Sequence, residues 1–264
     1  MVSGVDRDNP GMRLATFNTL HGASMSDGVV DPARFASAVA DLHADVLVLQ
    51  EVDRGQPRSH GLDLTAVAAD AMGATAARFV PALRGTPGHW QPADPARPEV
   101  QGYGIALLSR WPVLDWRVLR LPVLPIAVPR AARRGTGRLR WVRDEPRVAV
   151  AARVQAPHGA ITVVATHLSF LPGWNAWQLH RLVRACRALP RPLLIAGDLN
   201  LPWPVPARIS GLRAVGPVHS FPVDAPDRQI DHVLWDGPLA VTAGPVAVDT
   251  GVSDHRAVVV ELDG

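Results

Sequence analysis

The chain has 264 residues, 47% hydrophobic and 19% charged, with a formal net charge of +3, a length expected to bury roughly 70–75% of the unfolded surface. Cys186 is the only cysteine, which excludes an intrachain disulfide and a cysteine zinc site. No run of about 18 apolar residues is present to form a transmembrane segment. All 27 basic residues are arginine, so Schiff-base chemistry, lysine nucleophiles and a P-loop lysine are excluded as well. Met1–Pro10 is short and polar and lacks the apolar stretch of a signal peptide. That points to a cytoplasmic protein, with residues 1–11 as a flexible flank of one domain spanning 1–264.

Short apolar runs alternate with amphipathic ones along the chain. The strand candidates are Met12–Phe17, Val46–Gln50, Gly104–Leu108, Arg147–Val154, Ile161–Thr166, Pro192–Ala196, Gln229–Trp235 and Arg256–Leu262. Several are continuously apolar, as strands covered on both faces are. Three helices lie between them. Asp31 before Pro32 predicts an N-cap with proline at N1, after which Phe35, Val39 and Leu42 share a face. Asp63 caps a second, with Leu64, Val67, Ala68 and Ala71 inward and Gly73 as its stop. Asn175 opens a third, where Leu179, Leu182, Val183 and Cys186 recur at helical spacing and place the cysteine in the core.

Two stretches read as long loops. Arg84–Gly102 is rich in Pro and Gly, and Pro122–Glu145 holds Arg130, Arg133, Arg134, Arg138, Arg140 and Arg143 around Trp141. The arginines suit phosphate contacts, where the planar guanidinium binds bidentately. They equally suit a solvated charge run in a chain whose basic residues are all arginine.

The strand ends carry the chemistry. The first runs into Asn18, the second into Gln50-Glu51, and Ile161–Thr166 into His167. Pro192–Ala196 runs into Gly197-Asp198-Leu199-Asn200; Asp231 and His232 sit in the next strand, and Ser253-Asp254-His255 precede the last. Singly, each fits a turn or a solvated loop. Together they supply carboxylates, carboxamides and imidazoles with no thiol or amine nucleophile. Hard oxygen ligands of this kind suit magnesium or manganese, and histidines beside them suit proton transfer to or from water.

This ordered set resembles the endonuclease/exonuclease/phosphatase superfamily. The motifs run from Thr16-Phe17-Asn18 through Leu49-Gln50-Glu51-Val52-Asp53, Tyr103–Arg110, Thr166-His167-Leu168, Gly197–Asn200 and Gln229-Ile230-Asp231-His232 to Ser253-Asp254-His255. The resemblance implies an α/β (α+β) four-layer sandwich, two mixed β-sheets packed face to face with helices outside. It implies Mg2+ or Mn2+ as cofactor, with Glu51, Asn18 and Asp254 at the metal. Asp198 and Asn200 match the pair that positions water and phosphate oxygens, His255 the catalytic histidine oriented by Asp231, and His167 the second histidine. Tyr103 lies near a family tyrosine that reaches the scissile phosphate, but the spacing differs by one residue, and core or loop packing is the favoured reading. His21, His60 and His232 read as structural, and His180 as a surface residue.

The expected activity is hydrolysis of a phosphodiester in a nucleic acid, phospholipid headgroup or small molecule, by a protein acting as a monomer. Arg147, closing a run of seven arginines against two acids from Arg130 onward, is a candidate phosphate contact. Trp174 and Trp203, with Trp177, follow site-bearing strands; stacking on bases, insertion at a lipid interface and closing the core remain open for them. Phe170-Leu171-Pro172 favours a lipid substrate, as in a sphingomyelinase; the arginine loop favours nucleic acid. An inositol-phosphate-type phosphomonoesterase ranks lower, because no arginine follows Asn200 until Arg208. A non-catalytic binding module on the same fold ranks last, since Glu51, Asp198, Asn200 and His255 are all present.

Overall fold

The computed structural model describes residues 11–94, 101–131 and 139–263. Arg133, Arg134, Arg138 and the N-terminal flank through residue 10 lie outside the described residues. In chain order the strands are β1 (Met12–Asn18), β2 (Val46–Arg54), β3 (Ala76–Arg84), β4 (Gln91–Pro92), β5 (Gly102–Ser109), β6 (Val113–Leu121), β7 (Val128–Ala131) and β8 (Leu139–Val142). They continue with β9 (Arg147–Ala156), β10 (Gly159–His167), β11 (Leu193–Asp198), β12 (Arg213–Ala214), β13 (Asp231–Asp236), β14 (Ala240–Val248) and β15 (Ala257–Asp263). The helices are α1 (Pro32–Asp41), α2 (Leu64–Met72), α3 (Trp174–Cys186) and α4 (Val205–Ser210).

One sheet has the order β14-β15-β1-β2-β5-β3-β4 and the other β12-β13-β11-β10-β9-β6. Both are mixed: β1–β2 and β10–β11 are parallel within otherwise antiparallel neighbourhoods. The period of two in a strand makes four layers from this sequence. In β2, Val46 and Val48 face the opposing sheet, while Leu47 and Leu49 face Phe35, Val39 and Leu64 of α1 and α2. In β11, Leu194 and Ala196 face inward, while Leu193 and Ile195 meet Leu179, Leu182 and Cys186 of α3. The expected sandwich is therefore the architecture found. Among the described residues no helix is long and apolar enough to cross a membrane.

The caps follow the sequence. The Asp31 carboxylate accepts from Ala33 N and Arg34 N, Asp63 accepts from Thr65 N and Ala66 N, and α2 stops at Gly73 with φ 67°. α3 departs from expectation: it begins at Trp174 after Gly173, so Asn175 lies inside its first turn. Neither long loop is wholly irregular, because β4 lies in the first and β7–β8 form a two-stranded ribbon in the second.

One irregularity positions the site. Between Leu49 and Val52, β2 slips register against β5, leaving Gln50 and Glu51 without a β5 partner, and Glu51 takes φ 57°. The bulge re-aims the Glu51 side chain. Val52 pairs with Gly104, where an added Cβ would sit 2.1 Å from Val80 O and 2.8 Å from Pro81 Cα. Only glycine lets β3 and β5 approach so closely. Gly104→Ala is expected to lower stability by about 3 kcal/mol, read as a lower urea midpoint with unchanged m; an unchanged midpoint would show that the strands separate freely.

Candidate active site

Strand parity brings the polar strand ends together. Asn18, His167, Asp198 and Asp231 continue the inward-facing rows of β1, β10, β11 and β13, so the apolar filling between the sheets gives way to these groups at one end. Asn18 Nδ2 donates to Glu51 Oε1 at 3.1 Å and to Asp198 Oδ2 at 3.2 Å, linking the two sheets. Asp198 Oδ2 is also 3.5 Å from His167 Nε2 and 3.9 Å from His255 Nε2. Three side chains thus converge on one carboxylate oxygen that is itself buried. Its other oxygen, Oδ1, accepts from Asn200 N at 2.8 Å.

Asn200 is held by its neighbours. Its backbone has φ 52°, its carbonyl accepts from Asn175 Nδ2 at 2.7 Å, and its own Nδ2 donates to Leu168 O at 3.1 Å. His255 Nδ1 lies 2.9 Å from Asp231 Oδ2, which also accepts from Ser220 Oγ at 2.6 Å; Asp231 Oδ1 is buried without a partner. Phe221 packs against the His255 ring at 4.6 Å between centroids. Burial alone would lower the His255 pKa, but the charge and hydrogen bond of Asp231, with Asp198 and Asp254, outweigh it and raise it. Asp198 is pushed up by burial and by the charge of Asp231.

Tyr103 is brought beside Glu51; burial and that carboxylate hold its pKa well above the usual phenol value. Arg58 supports it from behind. Its Nε and Nη2 donate to the buried Asp53 carboxylate, both at 2.8 Å, and its guanidinium carbon sits 5.1 Å from the Tyr103 ring centroid. Arg147 opens β9, where the strand was expected to begin, and is buried there, with Nη1 3.1 Å from His167 Nδ1. Trp174 stacks on Trp177 at 4.5 Å, and Trp203 is half-buried; neither makes a hydrogen bond or ring contact with the cluster among the described residues.

The histidines expected to be structural divide. His232 is fully buried and donates from Nε2 to Leu201 O at 2.7 Å, while His60 is exposed and donates to Val30 O at 3.1 Å. His21 is half-buried, with burial and Arg58 lowering its pKa and Asp53 and Glu51 opposing them. Sequence reasoning passed over Ser220, Arg58 and the role of Asn175. No motif marks them, since each acts on a site residue distant in the chain.

The donor chemistry fits a divalent cation. Glu51 and Asp254 are half-buried, Asp254 is raised by burial and by the Glu51 charge, and among the described residues no arginine is within ion-pairing distance of either. Ligand atoms of Asp198, Asp231 and His255 also lie within 4.8 Å of one another. In that trio the His255 Nδ1–Asp231 contact is already a hydrogen bond, which favours proton handling over coordination. Carboxylate and amide oxygens such as those of Glu51, Asp254 and Asn18 suit a hard ion.

Residues 15–255 match the endonuclease/exonuclease/phosphatase family. An endonuclease/exonuclease/phosphatase from Beutenbergia cavernae superposes with a TM-score of 0.67 at 25% identity, over 95% of this chain and 71% of that one. D. rerio TDP2 complexed with single-strand DNA product gives 0.62 at 14% identity, over 97% and 100%. Sphingomyelinase C from Streptomyces griseocarneus gives 0.57 at 18% identity, over 96% and 99%. No curated protein sequence matches the chain.

The Ser220–Asp231 bond offers a direct test of how this site is held. Ser220→Ala removes one of the two hydrogen bonds to a fully buried carboxylate and is expected to cost about 1–3 kcal/mol in a urea melt. No loss would mean that the carboxylate needs only His255.

Proposed function

Because the chain belongs to the endonuclease/exonuclease/phosphatase family, we propose that it is a divalent-metal-dependent phosphodiesterase that hydrolyses its substrate by direct in-line attack of water. The observation that carries this reading is the convergence of Asn18, His167 and His255 on Asp198 Oδ2, with Glu51 and Asp254 alongside. Glu51, Asn18 and Asp254 hold Mg2+ or Mn2+, which when bound neutralises phosphate charge.

The chain's own groups do the rest. Asp198, fixed by Asn18 and the Asn200 backbone, orients the attacking water and takes its proton. The water oxygen bonds to phosphorus as the bond to the leaving oxygen breaks, and that oxygen leaves with a proton from solvent. His255, kept protonated by Asp231, donates from Nε2 to one non-bridging oxygen, and the Asn200 amide and His167 Nε2 meet the other. Donors aimed at charge that develops in the transition state act more strongly in a buried site. Asp231 fixes the direction of the His255 ring, as carboxylate–histidine pairs do.

A diester ranks above a monoester because Leu201-Pro202-Trp203-Pro204, not an arginine cluster, follows Asn200. Within diesters, nucleic acid is the first reading. A lipid diester is the second, favoured by Leu139 and Trp141 on the ribbon, 71% and 70% exposed, since such side chains suit a lipid interface.

The test is hydrolysis of bis(p-nitrophenyl) phosphate beside p-nitrophenyl phosphate with Mg2+, Mn2+ or EDTA. Diester cleavage is expected to need the metal and to fall about 10²–10⁴-fold in His255→Ala. Turnover that survives EDTA, or a preference for the monoester, would contradict the proposal. DNA, RNA and phospholipid vesicles then separate the two diester readings.

A further inference from the structure

The two site histidines read alike in the sequence, yet the same ring nitrogen meets opposite partners. His255 Nδ1 faces a carboxylate, Asp231 Oδ2, at 2.9 Å. His167 Nδ1 faces a guanidinium, Arg147 Nη1, at 3.1 Å. Arg147 is 6% exposed, and its Nη2 donates to Glu145 Oε2 at 3.2 Å. Arg147, His167 and Tyr103 together line a small cavity between the sheets.

An arginine side chain has five N–H donors, no acceptor, and does not give up its proton in a protein. At hydrogen-bonding distance from it, His167 Nδ1 can only be the acceptor. The single ring proton of a neutral imidazole then sits on Nε2, the nitrogen 3.5 Å from Asp198 Oδ2. A protonated ring would set one N–H against another. Asn200 Nδ2 lies 3.4 Å from His167 Nε2, but a ring cannot accept at both nitrogens; the Arg147 contact is the shorter, and the Asn200 amide already donates to Leu168 O.

We propose that Arg147 is a positioning residue that locks His167 as the neutral Nε2–H tautomer, so that one fixed donor faces the Asp198 oxygen and the phosphate beside it. Burial and the Arg147 charge, which both hold His167 well below the ordinary histidine pKa, agree with this. Arg147, a candidate phosphate contact in the sequence, is thereby read as part of the frame behind a catalytic donor. The functional half of the inference rests on the phosphodiesterase reading; the tautomer does not.

The experiment is long-range proton–nitrogen NMR of the histidine rings in the full chain, assigned with His167→Ala, alongside kinetics on bis(p-nitrophenyl) phosphate with Mn2+. In the wild type, His167 is expected to show a bare Nδ1 and a protonated Nε2. In Arg147→Met the ring is expected to populate both tautomers, and kcat to fall about 10–100-fold with KM unchanged. A protonated Nδ1 in the wild type would overturn the proposal, and that result does not depend on Arg147→Met folding. Ring signals that move while kcat stays constant would overturn the positioning role and leave the diesterase intact. The expected ring signals without wild-type turnover would uphold the tautomer and count against the diesterase alone.

Discussion

The burial of like charge at one end of two apolar sheets is the constraint from which the rest of the structure follows. Asp198 and Asp231 are 2% and 0% exposed, and taking a carboxylate out of water costs several kcal/mol unless partners replace the lost hydration. The fold supplies those partners from distant parts of the chain: Asn18 and Asn200 for Asp198, Ser220 and His255 for Asp231. What it withholds is as informative. Arginine pairs with Asp27, Asp53, Asp63 and Asp236, but among the described residues with none of Glu51, Asp198, Asp231 or Asp254. In a chain with 27 arginines, that leaves negative charge concentrated where a cation and a phosphate are proposed to meet.

The sheets make the concentration possible. Alternating side chains fill the space between them with Val, Ile, Leu and Ala, and the same alternation aims Asn18, His167, Asp198 and Asp231 into one gap. Glu51 cannot reach by alternation and arrives through the β2 bulge with a left-handed backbone. Ser253, with φ 76°, donates from Oγ to Asn18 O and ties the segment before β15 to the end of β1. Strained residues therefore cluster at the site, where packing from both sheets holds them.

The layers and the central strands were legible because their residues are apolar on both faces. The missed strands were illegible for the converse reason. β6 is an edge strand with Leu114 61% exposed and charged Asp115, Arg117 and Arg120, and β14 is an edge strand with exposed Val246 and internal Pro245. α4 is short and lies among prolines. At the site, residues at strand ends could be named from motif order, and the structure brings all eight of Asn18, Glu51, His167, Asp198, Asn200, Asp231, Asp254 and His255 into one cluster. The burial of Arg147 was not legible because a residue closing an arginine run looks solvated, and only the pairing of β9 with β6 and β10 reveals it. Ser220 and Asn175 were invisible for want of any local pattern: their partners are 11 and 25 residues away.

Thermal unfolding with and without Mn2+, on the wild type and Glu51→Gln, tests the central claim most directly. A cation that binds only the folded chain stabilises it by about 2.7 kcal/mol at a hundredfold excess over Kd. The account predicts that the wild-type Tm rises with Mn2+ and returns with EDTA. Glu51→Gln, relieved of one repelling carboxylate, should melt no lower than the metal-free wild type and respond little to the ion. A wild-type Tm indifferent to Mn2+ would contradict the account, because the charge gathered around Asp198 would then have no cation to meet.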